Sequence, residues 1–119
     1  MSHWKCVLEH GLTSFRAVYD LAKEHAVGME AAHWGALDDA LNHAEALQSR
    51  TFPPTPWEVR SAVARLRQQT GLALLHMGEK EEDVAQFVES WEGLIQGEEV
   101  FPKLPDHTGE LLKHLAVQA

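Results

Sequence analysis

One stretch constrains this chain more than any other: Thr55 to Gly97, TPWEVRSAVARLRQQTGLALLHMGEKEEDVAQFVESWEGLIQG, which carries its own start, turn and stop signals. Thr55 is a favourable helix N-cap, Pro56 suits the first helical position because the N–H it lacks would be an orphan there, and Glu58 completes a capping box. At 100° per residue, Val59, Ala62, Val63, Leu66, Ala73 and Met77 fall on one stripe. Leu72 and Leu75 point off that stripe, so the second half of the helix is apolar nearly all round. Such an end is buried on two sides or meets another chain. Gly78 ends the helix in the left-handed conformation that glycine tolerates best. Glu79, Glu81, Glu82 and Asp83 then form the acid-rich start that a helix dipole favours. Val84, Phe87, Val88, Trp91, Leu94 and Ile95 recur at i, i+3, i+4 and i+7, and Gly97 closes a second helix.

Two further helices precede this hairpin and need a partner to bury their stripes. From Trp4 to about Ala26, the residues Trp4, Val7, Leu8, Leu12, Phe15, Val18, Tyr19 and Ala22 share one side, with Gly11 among them permitting close approach. Arg16 and Asp20 stand at the spacing of a helical ion pair. From Met29 to Arg50 the stripe is Met29, His33, Ala36, Leu37, Ala40, Ala44 and Leu47, whose small residues invite a near neighbour. Trp34 and Leu41 sit on its shoulder as an outer contact. The prolines of TFPP, residues 51–54, stiffen the crossing to Thr55. After Gly97 a connection with Val100 and Phe101 is expected to pack down. A short last helix follows from Asp106 or Thr108, with Leu111, Leu112, Leu115 and Val117. No segment has strand period. The expected fold is all-α, an up-and-down bundle of four main helices plus a short C-terminal helix, in a single helical domain over residues 1–119.

The central hairpin resembles a tetratricopeptide unit. Gly71, Leu74, Gly78 and Phe87 stand where that family places Gly, Tyr, Gly and Phe, over about 34 residues. It departs from the pattern at Asp83, where a small residue is wanted, and at Arg67, where a large aromatic is wanted. No second copy follows, and one repeat does not make a solenoid.

Function is bounded mostly by exclusion. A chain of 119 residues that is 45% hydrophobic can bury a core unaided, and no apolar run approaches the ~20 residues of a membrane span. The start, MSHWKCVLEH, lacks the pattern of a secretory signal, and a single cysteine, Cys6, cannot form an internal disulfide; the expectation is a cytoplasmic protein without membrane contact. A net charge of −8 argues against a stand-alone nucleic-acid binder. The eight histidines invite a metal reading, for which Glu30 and His33, a Glu-x-x-His pair, are the candidates. Di-iron bundles need that pair twice with two further glutamates, so His33 is read first as a core imidazole hydrogen-bonded to a neighbouring helix. Phosphate loops, nucleophile elbows, HExxH and Cys-x-x-Cys are absent from the sequence.

The expectation is therefore a small acidic helical protein that binds another protein, as adaptor, assembly subunit or inhibitor, without catalysis or cofactor. The contact residues are Trp34, Leu41, Leu72 and Leu75, with the acids Glu79, Glu81, Glu82 and Asp83 facing a basic surface. Association with a second copy fits the same surface. Two competing readings stand beside it. One is a nucleic-acid-associated subunit that sets Arg50, Arg60, Arg65 and Arg67 on phosphates within a complex, or the converse, an acidic mimic of nucleic acid. The other is a metal or small-ligand site around His33.

Overall fold

The computed structural model describes residues 3–26 and 28–118, with side chains described as far as His114. Its helices are α1 (His3–His25), α2 (Ala31–Ser49), α3 (Pro56–His76), α4 (Glu81–Glu89), α5 (Glu92–Ile95) and α6 (Asp106–Gln118). There is no strand among the described residues, and the architecture is a four-helix bundle, its fourth helix broken in two, with a short C-terminal helix. No described helix is long and apolar enough to cross a membrane.

The bundle is arranged around α3, which packs against α1, α2, α4 and α5. Its start is built as the sequence requires: the Glu58 N–H donates to Thr55 Oγ1 at 3.2 Å while the Thr55 N–H donates to Glu58 Oε1 at 3.0 Å. Its stop is a Schellman turn. Gly78 adopts φ +90°, its N–H bonds to Leu75 O at 3.0 Å, and the Glu79 N–H bonds to Leu74 O at 3.1 Å.

One core joins the pieces. Val7, Leu8, Leu12, Phe15 and Val18 of α1 meet Leu37, Ala40, Ala44 and Leu47 of α2, Val59, Val63, Leu66 and Leu74 of α3, and Phe87, Trp91 and Leu94 beyond. The small face of α2 is what lets it close on its neighbours. At Gly11 a Cβ would lie 3.4 Å from the Trp91 ring and 3.5 Å from Leu66, ordinary contact distances that show how closely α1 approaches the indole and α3 at this point. Trp91 also meets Phe87 edge-on at 5.8 Å.

Four sequence expectations change in the structure. The helix expected to run unbroken to Gly97 stops at Glu89, because the Ser90 hydroxyl donates to Phe87 O at 2.6 Å and accepts the Lys103 N–H at 2.8 Å. A serine bonded to the backbone in this way competes with the helix, and here it also anchors the returning chain. Arg16 does not pair with Asp20; its guanidinium reaches Glu45 on α2 at 2.8 Å, an interhelical partner. Val100 and Phe101 do not pack inward. Both are exposed, Phe101 stacks on His10 at 4.1 Å, and the connection is held instead by buried Pro102 and Pro105 with half-buried Leu104. Finally, His33 is not bonded to a neighbouring helix through Nδ1: that atom is buried with no hydrogen-bond partner, and the ring lies 4.6 Å from the His76 ring. Leu111 and Leu112 are half-buried, while the side chains of Leu115 and Val117 lie outside the described residues.

Candidate docking groove

Leu72 and Leu75 stay at the surface. With the core stripe of α3 committed to α1 and α2, they remain 39% and 41% exposed. Beside them, between α3 and α4, lies an open groove of about 630 Å³. That volume lies within the ~300–1,000 Å³ of ligand-binding clefts. Its apolar end is made by Gly71, Leu72, Leu75, Val84 and Val88, and its polar end by Ser61, Arg65, Arg67 and Gln68. The floor is tight: a Cβ on Gly71 would lie 3.1 Å from Val88.

The sequence reading picked out Leu72 and Leu75 but missed the walls. Val84 and Val88 belong to the stripe that faces α3, and in the structure they stand at the side of the groove, Val84 buried and Val88 half-buried. A signal for the rest was present: Ser61, Arg65, Gln68, Leu72 and Leu75 recur at helical spacing as a second face of α3.

The expected cationic row does not form a single surface. Arg50 is clamped by Glu58 through two bonds of 2.6 and 2.7 Å, which hold the Glu58 carboxyl down at about 2 and raise the guanidinium. Arg60 lies over the Trp4 ring at 5.0 Å and donates to Ile95 O at 3.2 Å. Arg67 pairs with Glu92 at 3.4 Å. Arg65 is exposed and makes no ion pair among the described residues.

Neither do the four acids form one outward block. Glu81 and Glu82 are exposed and Asp83 is half-buried, but the Glu79 side chain is only 5% exposed. Its Oε1 accepts the His107 Nδ1–H at 2.8 Å and the Thr108 hydroxyl at 3.0 Å. A carboxylate so placed complements the positive end of α6 and ties the α3–α4 turn to it. Glu79 is thus engaged within the chain. Between α4 and α6 lies a second cleft of about 440 Å³, whose lining includes Asp83, Asp106, Lys80 and Lys103.

Trp34 and Leu41 are half-buried on the core, Trp34 edge-on to Tyr19 at 5.9 Å, so α2 shows a partner less of them than its periodicity implied. Two more exposed aromatics went unread. Phe52 and Trp57 flank the crossing between α2 and α3, Trp57 being 73% exposed, and Arg50 lies over the Phe52 ring at 4.2 Å.

Of the metal candidates, Glu30 is exposed just before α2 and His33 lies against His76, beside Met29, Leu37, Gln69, Leu72 and Ala73. No group of three or more His, Cys, Asp or Glu side chains among the described residues is arranged to hold a metal ion. Compared with protein-family models, curated proteins and solved structures, the chain matches none.

Proposed function

We propose that this protein acts by binding another protein, and that the groove between α3 and α4 receives a helix of that partner. The observation that carries this reading is the exposure of Leu72 and Leu75 beside the apolar wall of Val84 and Val88. Large apolar side chains left out of a core that has already buried Leu66, Leu74, Phe87 and Trp91 are where association removes further surface from water. A helix laid in a groove contributes side chains at i, i+3 or i+4, and i+7. The α3 face from Ser61 to Leu75 is ~21 Å long, room for about four turns of such a helix.

The test is a photo-reactive amino acid at Gln68, inside the groove, with the same residue at exposed Ala46 of α2 as control. Irradiated in its native cell, the Gln68 form should give an adduct of defined mass that the Ala46 form does not. The adduct should vanish with Leu72→Asp and Leu75→Asp. Equal labelling from both positions, or labelling indifferent to the two leucines, would remove the groove from consideration.

A further inference from the structure

The charge around the groove runs opposite to the charge of the chain. The sequence holds 18 acids and 10 basic residues, yet the groove lining contains Arg65 and Arg67 and no acid. Arg67 is satisfied in part by Glu92 at 3.4 Å; Arg65 has no partner among the described residues, whereas Arg50 and Arg60 are both engaged within the chain. The cations stand at one end only. Arg65 lies ~10 Å along α3 from Leu72 and ~15 Å from Leu75, two to three helical turns away. A ligand seated over the leucines therefore meets guanidinium groups after an apolar interval of fixed length.

From this we infer that the occupant is an amphipathic partner helix with an acidic end: apolar side chains over Leu72, Leu75, Val84 and Val88, and Asp or Glu about seven to ten residues along, against Arg65 and Arg67. The inference rests on the groove reading and adds to it the sign and the register of the partner. It sets aside a partner that is basic at this surface. The exposed acids Glu81 and Glu82 are not part of the lining, and the charged side chains that are, Arg65 and Arg67, are both cationic. A phosphate backbone could meet the arginines but leaves the apolar wall uncovered, so the competing nucleic-acid occupant is an outcome of the test.

The experiment uses the full chain and three fluorescent helical peptides, each of about 14 residues. The first has Leu at i, i+3 and i+7 with two Glu at the far end, the second replaces Glu with Lys, and the third replaces Leu with Ser. The Glu peptide should bind roughly two- to fivefold more tightly than the Lys peptide, the fold-change of about one exposed ion pair. The preference should narrow as salt rises and reverse in Arg65→Glu, whose helix content by circular dichroism should match the parent. The Ser peptide should not bind. Equal binding of Glu and Lys peptides, abolished by Leu75→Asp, would overturn the charge assignment and leave the groove standing. No binding by any peptide, or binding indifferent to Leu72→Asp and Leu75→Asp, would overturn both. Displacement of the Glu peptide by a single-stranded oligonucleotide, at concentrations comparable to the unlabelled peptide, would overturn the assignment in favour of phosphate.

Discussion

At the scale of single residues, what a side chain does here depends on whether a second helix brings it a partner. Tyr19 projects from the edge of the α1 stripe, and its hydroxyl donates to Asp38 Oδ1 of α2 at 2.6 Å. That bond, with partial burial and the nearby carboxylates, raises the phenol from 10.0 to about 12. The shift favours the neutral, bonded form. Its contribution to stability is complete below the unfolded value near 10 and is lost as pH rises through about 12. The chain has one tyrosine, so ultraviolet titration of the phenolate reads this group alone. The midpoint should stand near 12 and fall toward 10 in Asp38→Asn. An unchanged midpoint in the variant would mean that the Asp38 bond does not hold the phenol.

Among the elements, α3 is the one whose ends are specified most completely, and its start gives the chain an acid-sensitive joint. Glu58 accepts from the Thr55 N–H, the Thr55 hydroxyl and the Arg50 guanidinium, which together lower its carboxyl from 4.5 to about 2. The sign is that of a depressed acid: its stabilisation is full above 4.5 and disappears as pH falls toward about 2. Chemical denaturation at a series of pH values should therefore show a loss through this window that is shallower in Glu58→Gln. Thr55→Ala, which removes the cap itself, should cost ~1 kcal/mol at neutral pH. An acid limb identical in parent and Glu58→Gln would assign the loss to other carboxylates. Across the hairpin, the break at Ser90 shows an element ended by the fold. No glycine or proline stands there, and the hydroxyl needs the Lys103 N–H of the returning chain to complete its bonding.

For the whole molecule, stability converges on the junction of α1, α3 and the end of the fourth helix. Trp91 is fully buried there, against Gly11 and Phe87, and its Nε1 has no hydrogen-bond partner among the described residues. Trp91→Ala should cost ~3–5 kcal/mol, a large share of the ~5–15 kcal/mol typical of a domain. Trp34→Ala should cost less, roughly 1–2 kcal/mol, since the side chain is only half-buried at the edge of the core, edge-on to Tyr19. Urea unfolding of both variants decides it. Equal losses would place the main core at α2 rather than at the junction.

The all-helical class, the places of the long helices and the inward stripes of α1, α3 and α4 were legible in the sequence by itself; the break that divides the fourth helix into α4 and α5 was not. Legible too were the capping box at Thr55 and Glu58 and the left-handed Gly78. These features rest on bonds and side-chain neighbours within four residues along the chain, which residue order determines directly. Periodicity also found Leu72 and Leu75 outside the core. What tertiary structure alone decided is where polar groups and half-exposed side chains ended up. Glu79 reads as one of four acids within five residues, yet it bonds across to His107 and Thr108; Arg16 passes over Asp20 for Glu45; Trp34 is drawn onto Tyr19. The groove belongs to the same class. It exists because α4 covers the Gly71 side of α3, burying Val84 and half-burying Val88, and leaves Leu72 and Leu75 uncovered, a relation between two helices that no single-helix period encodes.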